Sequence, residues 1–226
     1  MLDVQTCYLS ELGGRSRNEE ACGYWTSENG SCWVVSDGAG GHGSGDVASR
    51  LVVSTALKRF AAHPRVDPDE AAALLQAAND VVIREKTTGG TTDDMHATAV
   101  ILLIDPHSGV AVWGHVGDTR IYLFRRGRVA YQTRDHSLVQ NMIDAGYGSA
   151  DMIRSHPQRS LLTSAIGSKE AISLSVSAEP MQLMPGDVFL MCTDGWWEYV
   201  EEPEMERILD ESESSEQWLA GMQALI

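Results

Sequence analysis

An α+β sandwich, in which helices cover antiparallel sheets, is the fold class this sequence predicts, and three observations carry it. Strand-like runs follow one another with short connections, at Ala97 to Ile104, Val110 to Val116, Arg120 to Phe124 and Val129 to Gln132. Such connections make antiparallel pairs, because a parallel crossover needs about a dozen residues or more. Helical patterns come in consecutive pairs and do not alternate with strands, which separates the chain from a parallel α/β fold. No repeat, low-complexity tract or linker divides the 226 residues, so a single domain over 1–226 is expected.

Residues 2 to 36 read as short strands joined by turns, among them Ser31-Cys32-Trp33-Val34-Val35-Ser36. The glycine cluster Gly38 to Gly45 follows, then a helix with Val53, Ala56, Leu57 and Phe60 on one face. A second helix starts where Asp67 can cap it, Pro68 suits the first turn and Glu70 completes a capping box. Leu74, Ala77, Ala78 and Val81 repeat its apolar face. Thr87 to Asp94 is polar and glycine-containing and reads as a loop. Turns at Asp105-Pro106-His107-Ser108-Gly109 and Arg126-Gly127 separate the central strands. Residues 137 to 165 form short helices and a loop before two more strands, Ile172 to Val176 and Val188 to Cys192. The end is helical, with Ser214 and Gln217 placed as a capping box.

Hydrophobic residues make up 43% of the chain and charged residues 22%, enough for a sizeable core. Seventeen basic against thirty-two acidic residues give a net charge of -15, and no basic run supplies the patch that nucleic acid requires. No segment reaches the roughly 20 apolar residues that span a bilayer. The start, Met1-Leu2-Asp3-Val4, lacks a basic and apolar leader, so a cytoplasmic protein, monomeric and away from membranes, is expected. Cys7, Cys22, Cys32 and Cys192 are too scattered for a zinc pair and read as reduced structural thiols.

Three apolar runs end in an aspartate joined to a glycine: Val34-Val35-Ser36-Asp37-Gly38, His115-Val116-Gly117-Asp118 and Met191-Cys192-Thr193-Asp194-Gly195. One such pair is an ordinary turn. Three at strand ends can converge on an oxygen-lined site, which suits magnesium, manganese or calcium better than zinc. None of the seven histidines belongs to a His-Glu-x-x-His pair, which argues further against zinc. Hard cations that share a carboxylate lower the pKa of a water and direct it at phosphorus, without a covalent intermediate.

Rival chemistries fit less well. Gly38, Gly40 and Gly43 have dinucleotide-fingerprint spacing, but a second helix follows the first where a parallel strand is required. Ser44 stands where an ATPase phosphate loop needs lysine after Gly43. No cysteine has an arginine six residues later, so the thiol phosphatase loop is absent.

Five ordered segments resemble the successive motifs of the metal-dependent protein phosphatase family, also called PPM or type 2C. They are Arg15-Ser16-Arg17-Asn18-Glu19-Glu20, Val35 to His42, His115 to Arg120, Thr133-Arg134-Asp135-His136-Ser137 and Cys192 to Glu198, and the likeness runs from about Ser10 to Val200. The resemblance implies an αββα sandwich of two antiparallel sheets flanked by helix pairs, with two or three divalent cations, manganese or magnesium, between the sheets. It also implies hydrolysis of phosphoserine and phosphothreonine in proteins, reversing a partner Ser/Thr kinase. Carried over, Asp37 bridges the metals, Gly38 offers its carbonyl, Asp194 binds the first metal, Glu19 serves the second and Asp118 belongs to a third. Arg15 is the catalytic residue that holds the phosphate, since a guanidinium pairs with two phosphate oxygens. Residues 137–165 are implied to be a flap beside the site. Asp135, His136 and His42 are read as scaffold.

Four departures accompany the resemblance. Glu20 stands where the first motif ends in aspartate, and its extra methylene moves the carboxylate by roughly a bond length where about 0.5 Å matters, which separates it from the other metal candidates. Ala39 replaces a histidine found in many eukaryotic members, leaving leaving-group protonation to water or a neighbouring acid. Met95-His96-Ala97-Thr98 replaces the usual Gly-Thr-Thr and is read as structural. The family closes with an Asp-Asn pair and a final strand, and Leu225-Ile226 comes before either, so a truncated sequence is expected. Glu20 and the absent aspartate motivate the alternative, a catalytically weak relative that binds phosphoprotein as a regulatory module.

Overall fold

The computed structural model describes residues 2–40, 44–88, 94–168 and 170–226. Strands β1 (Glu20–Ser27) and β2 (Gly30–Ala39) lead to helices α1 (Ser44–Ala62) and α2 (Pro68–Thr88). Strands β3 (His96–Ala97), β4 (Ala99–Asp105), β5 (Val110–Val116), β6 (Arg120–Arg125) and β7 (Arg128–Gln132) follow in succession. Helices α3 (Leu138–Asp144) and α4 (Met152–Ser155) precede β8 (Ser175–Val176), β9 (Met181–Gln182) and β10 (Val188–Cys192). Helices α5 (Asp194–Trp197), α6 (Glu202–Glu211) and α7 (Ser215–Gln223) end the chain.

Two antiparallel sheets result. The larger has the order β1-β2-β4-β5-β8, with β3 beside β2 and β9 beside β5, and the smaller is β10-β6-β7. Strand β4 shows why they stack: Ala99, Ile101 and Leu103 face α1 and α2 with Val52, Phe60 and Leu74. Val100, Leu102 and Ile104 face the second sheet with Ile121, Phe189 and Met191. Period-2 side chains buried on both faces require a layer on each side. The outer face of the small sheet, through Tyr122, Phe124 and Leu190, packs on Trp197, Met205, Ile208 and Trp218 of the last helices. The layers are therefore helix, sheet, sheet, helix, as the sequence leads one to expect.

Local signals explain the boundaries. The Asp67 carboxylate accepts the Glu70 N–H at 2.8 Å at the start of α2, and Ser137 and Ser214 cap α3 and α7 through the Gln140 and Gln217 N–H groups. Arg126 and Gly127, both at positive φ (55° and 74°), make the β6–β7 hairpin, whose twist needs left-handed residues. Several expectations are corrected, among them the strand from Ala97 to Ile104, which divides into β3 and β4 at Thr98. Residues 2–19 contain no strand, Ile172 to Val176 shrinks to the two residues of β8, and β9 was not anticipated. Ile172 and Leu174 instead pack as half-buried side chains against the larger core, so their apolar signal comes from burial without ladder pairing. Helix α2 runs through Thr88 into the expected loop, and His42 lies outside the described residues. No described helix is long and apolar enough to cross a membrane.

Candidate metal centre

Strand register brings the three aspartates together. Val35 pairs with Val100, and two residues further Asp37 stands opposite Thr98, whose N–H donates to the Asp37 carbonyl at 2.7 Å. Ala99 pairs with Val116, which carries Thr98 on to Gly117. In the second sheet Cys192 pairs with Arg120, so the same register extended by two residues sets Asp194 beside Asp118. One line of neighbours, Asp37, Thr98, Gly117-Asp118 and Asp194, thus crosses from the first sheet to the second. Gly117 turns this corner at φ +93°, a conformation that side-chain-bearing residues rarely adopt.

The electrostatics follow from that crowding. Burial, then the carboxylates of Asp194, Glu20 and Asp118, push the Asp37 pKa up to about 8, against a smaller pull from Arg15. Burial, then Asp194 and Asp135, push Asp118, which is 7% exposed, up to about 7. Asp194 is raised by burial and by Glu198, four residues on in the same helical turn, while Arg15 and a hydrogen bond with Asp37 lower it. The Asp194 carboxyl therefore acts on both of the other aspartates. Among the described residues no three acidic, histidine or cysteine side chains close into a coordination shell by themselves. Mutually repelling carboxylates need a positive centre to close around. The donor set fits a hard divalent cation, which would offset their mutual repulsion.

The other candidates fall into place unequally. Glu20 is directly opposite Asp37 in the β1–β2 ladder, so both side chains emerge on the same face, and Glu20 acts on Asp37 electrostatically. Glu19 points its carboxyl toward Gly45 at the start of α1, while its backbone carbonyl accepts the Gly38 N–H at 3.1 Å. Gly38 is buried, and any Cβ there would collide with the Gly45 carbonyl and approach that of Glu19, so only glycine fits. Arg15 is exposed, yet near enough to lower both Asp37 and Asp194.

Behind the aspartates lies a polar layer that sequence patterns missed. Arg120, 1% exposed, forms a two-pronged pair with Asp135 at 2.8 and 2.7 Å and lies 3.5 Å over the Trp197 ring. Asp135 is thus scaffold, as expected. His136 likewise accepts the Gly117 N–H at Nδ1 and stacks on His115. Glu198 holds Arg159 at 2.6 and 3.1 Å. The four-residue spacing from Asp194 to Glu198, one helical turn beyond a strand end, was the signal available for Glu198.

A family described as Protein phosphatase 2C matches residues 10–223. The serine/threonine phosphatase stp of Listeria monocytogenes serotype 4b is 32% identical over 202 residues, spanning 86% of this chain and 78% of that protein. Among solved structures, PppA of Pseudomonas aeruginosa, described as a key regulatory component of T6SS, is 30% identical with a TM-score of 0.77, covering 96% of this chain and 88% of that one. The catalytic domain of the serine/threonine protein phosphatase PstP, solved with 2 manganese ions, is 25% identical with a TM-score of 0.75, covering 92% and 85%.

Proposed function

The chain belongs to the protein phosphatase 2C family and is an enzyme that dephosphorylates serine and threonine side chains of proteins, and we propose that its site is built on Asp37, Gly38, Asp118 and Asp194 with Glu20 and Glu19 flanking. The bound cations are manganese or magnesium, which accept the same oxygen donors. When bound, they supply the activation of a water as nucleophile and neutralise phosphate charge. The single observation that carries this assignment is the register line that sets Asp37, Asp118 and Asp194 side by side, close enough for the Asp194 carboxyl to push up the pKa of both others.

The chain's own groups then divide the work. Arg15 binds the substrate phosphate, for which an exposed guanidinium offers paired donors. Gly38, where no side chain fits, offers its carbonyl as a further oxygen donor. The 137–165 segment is the flap, and the whole chain is read as one domain. Its substrates are phosphoproteins, its counterpart a Ser/Thr kinase, and it works as a cytoplasmic monomer, a setting that suits its four free thiols. The relatives do not favour the phosphoprotein-binding module without turnover.

Phosphate release from a phosphothreonine peptide tests the proposal. Release should depend on manganese, stop with chelator and be lost in Asp37→Ala. Peptide binding without turnover at saturating manganese would show a binding module instead.

A further inference from the structure

We propose that Arg154 is a positioning residue that couples flap docking to cation affinity at Asp118, an inference that rests on the metal-dependent reading above. Arg154 sits in α4, inside the flap, and reaches the body of the protein at two points. Its Nε donates to the Trp197 carbonyl at 2.9 Å, and its Nη2 donates to both Glu202 oxygens at 2.9 and 3.0 Å. The pair is largely shielded, with side-chain exposures of 21% and 26%, so it is stronger than a freely solvated one.

Both acceptors lead to the metal centre. Trp197, 2% exposed, donates its indole N–H to the Asp118 carbonyl at 2.9 Å and ends the helical turn that Asp194 begins. Glu202 accepts the Tyr122 hydroxyl at 3.1 Å, and that hydroxyl accepts Arg120 Nη1 at 3.0 Å. Arg120 lies over the Trp197 ring and grips Asp135, next to the flap root at His136. The ring is closed: Arg154, Glu202, Tyr122, Arg120 and Trp197 each touch the next, and Trp197 returns to Arg154. At the root, the His136 N–H donates to the Gly117 carbonyl at 2.9 Å, and the Thr163 N–H donates to the His136 carbonyl at 2.8 Å. The flap is thus tied on one side to Gly117 and on the other to Asp118 through Trp197. Side chains around a metal site orient its ligands and change affinity when removed. Any change in Asp118 on cation binding is therefore transmitted to Arg154, and flap displacement is transmitted back with the same coupling energy.

The test is calorimetric titration of the full chain with manganese, paired with hydrogen exchange across 138–144 and 152–155 with and without the metal. Arg154→Gln should weaken the weakest manganese site about tenfold, leave tighter sites unchanged and abolish manganese-induced protection of the flap. Glu202→Gln should act in the same direction, and it carries the test if Arg154→Gln does not fold. Arg134→Ala, which removes an exposed ion pair with Asp144, should change neither reading. If the variants melt lower but keep the unaltered isotherm and flap protection, Arg154 is structural and the inference is overturned. Failure of the unaltered protein to bind manganese overturns the metal reading, and this inference with it.

Discussion

Trp197 donates its indole N–H to the backbone carbonyl of Asp118 at 2.9 Å, joining a helix that begins with one candidate metal ligand to the turn that carries another. Trp197→Phe keeps most of the buried ring and leaves that carbonyl without its donor. The expected cost is about 1–3 kcal/mol, read as a lower urea midpoint at unchanged slope.

The Arg120–Asp135 pair is buried on both sides, at side-chain exposures of 2% and 1%. Removing one partner strands the other charge in the interior. Arg120→Met should cost about 3–5 kcal/mol, and Arg120→Met with Asp135→Leu should cost less than Arg120→Met alone. A double-mutant cycle by chemical denaturation measures the difference.

Acid should remove the stability that the stacked histidines contribute. His136 accepts from Gly117 at Nδ1 (3.2 Å), contacts Ser175 Oγ through Nε2 (2.9 Å) and stacks on His115 with centroids 4.6 Å apart. Burial, then His115, push its pKa down to about 4, against a smaller pull from Asp135, and burial also lowers His115. An unfolded histidine titrates near pH ~6.5, so between about 6.5 and 4 the unfolded chain binds more protons and stability rises with pH. The raised Asp37 and Asp118 carboxyls act with the opposite sign, so the histidine contribution is read as a difference: as pH falls through that window, His136→Gln should lose less stability than the unaltered protein, measured as paired denaturation midpoints.

Gly38→Ala puts a methyl group against the Gly45 carbonyl at the junction of β2 and α1. Backbone cannot yield there as a flexible side chain can. A loss of about 1–3 kcal/mol in thermal or chemical unfolding is expected, together with weaker manganese binding by calorimetry.

Metal should stabilise the folded protein, since the unfolded chain does not assemble the site. At free manganese 100 times the Kd the gain is about 2.7 kcal/mol, visible as a rise in Tm that chelator reverses. Asp37→Asn should remove that rise and the activity. It should also melt higher than the unaltered protein in chelator, because a neutral amide is cheaper to bury than a carboxylate and does not repel Asp194, Glu20 and Asp118.

Much of this was legible without coordinates, for identifiable reasons. The ranges expected for Val110–Val116 and Val188–Cys192 are those observed, because continuous apolar runs bounded by turn residues mark buried strands. The Asp67 cap was legible because capping acts over three residues. Less legible were Ile172 and Leu174, whose side chains pack without joining a ladder, and residues 2–19, where Val4, Tyr8 and Leu12 are exposed and no strand forms. The orientation of neighbours was likewise hidden. Glu19 and Glu20 differ by one position, yet the β1–β2 register turns Glu20 toward Asp37 and Glu19 toward Gly45.

By itself the chain order determined the layers, the strand-end aspartates and the family, because periodicity, turn chemistry and motif spacing are local properties that survive in one dimension. The tertiary structure decided which carboxylates press on one another and how Arg154 reaches Asp118 through Trp197. Those facts depend on register between strands remote in the chain, where one residue of slip would send each side chain to the opposite face, and on the helical turn that brings Trp197 to Asp118.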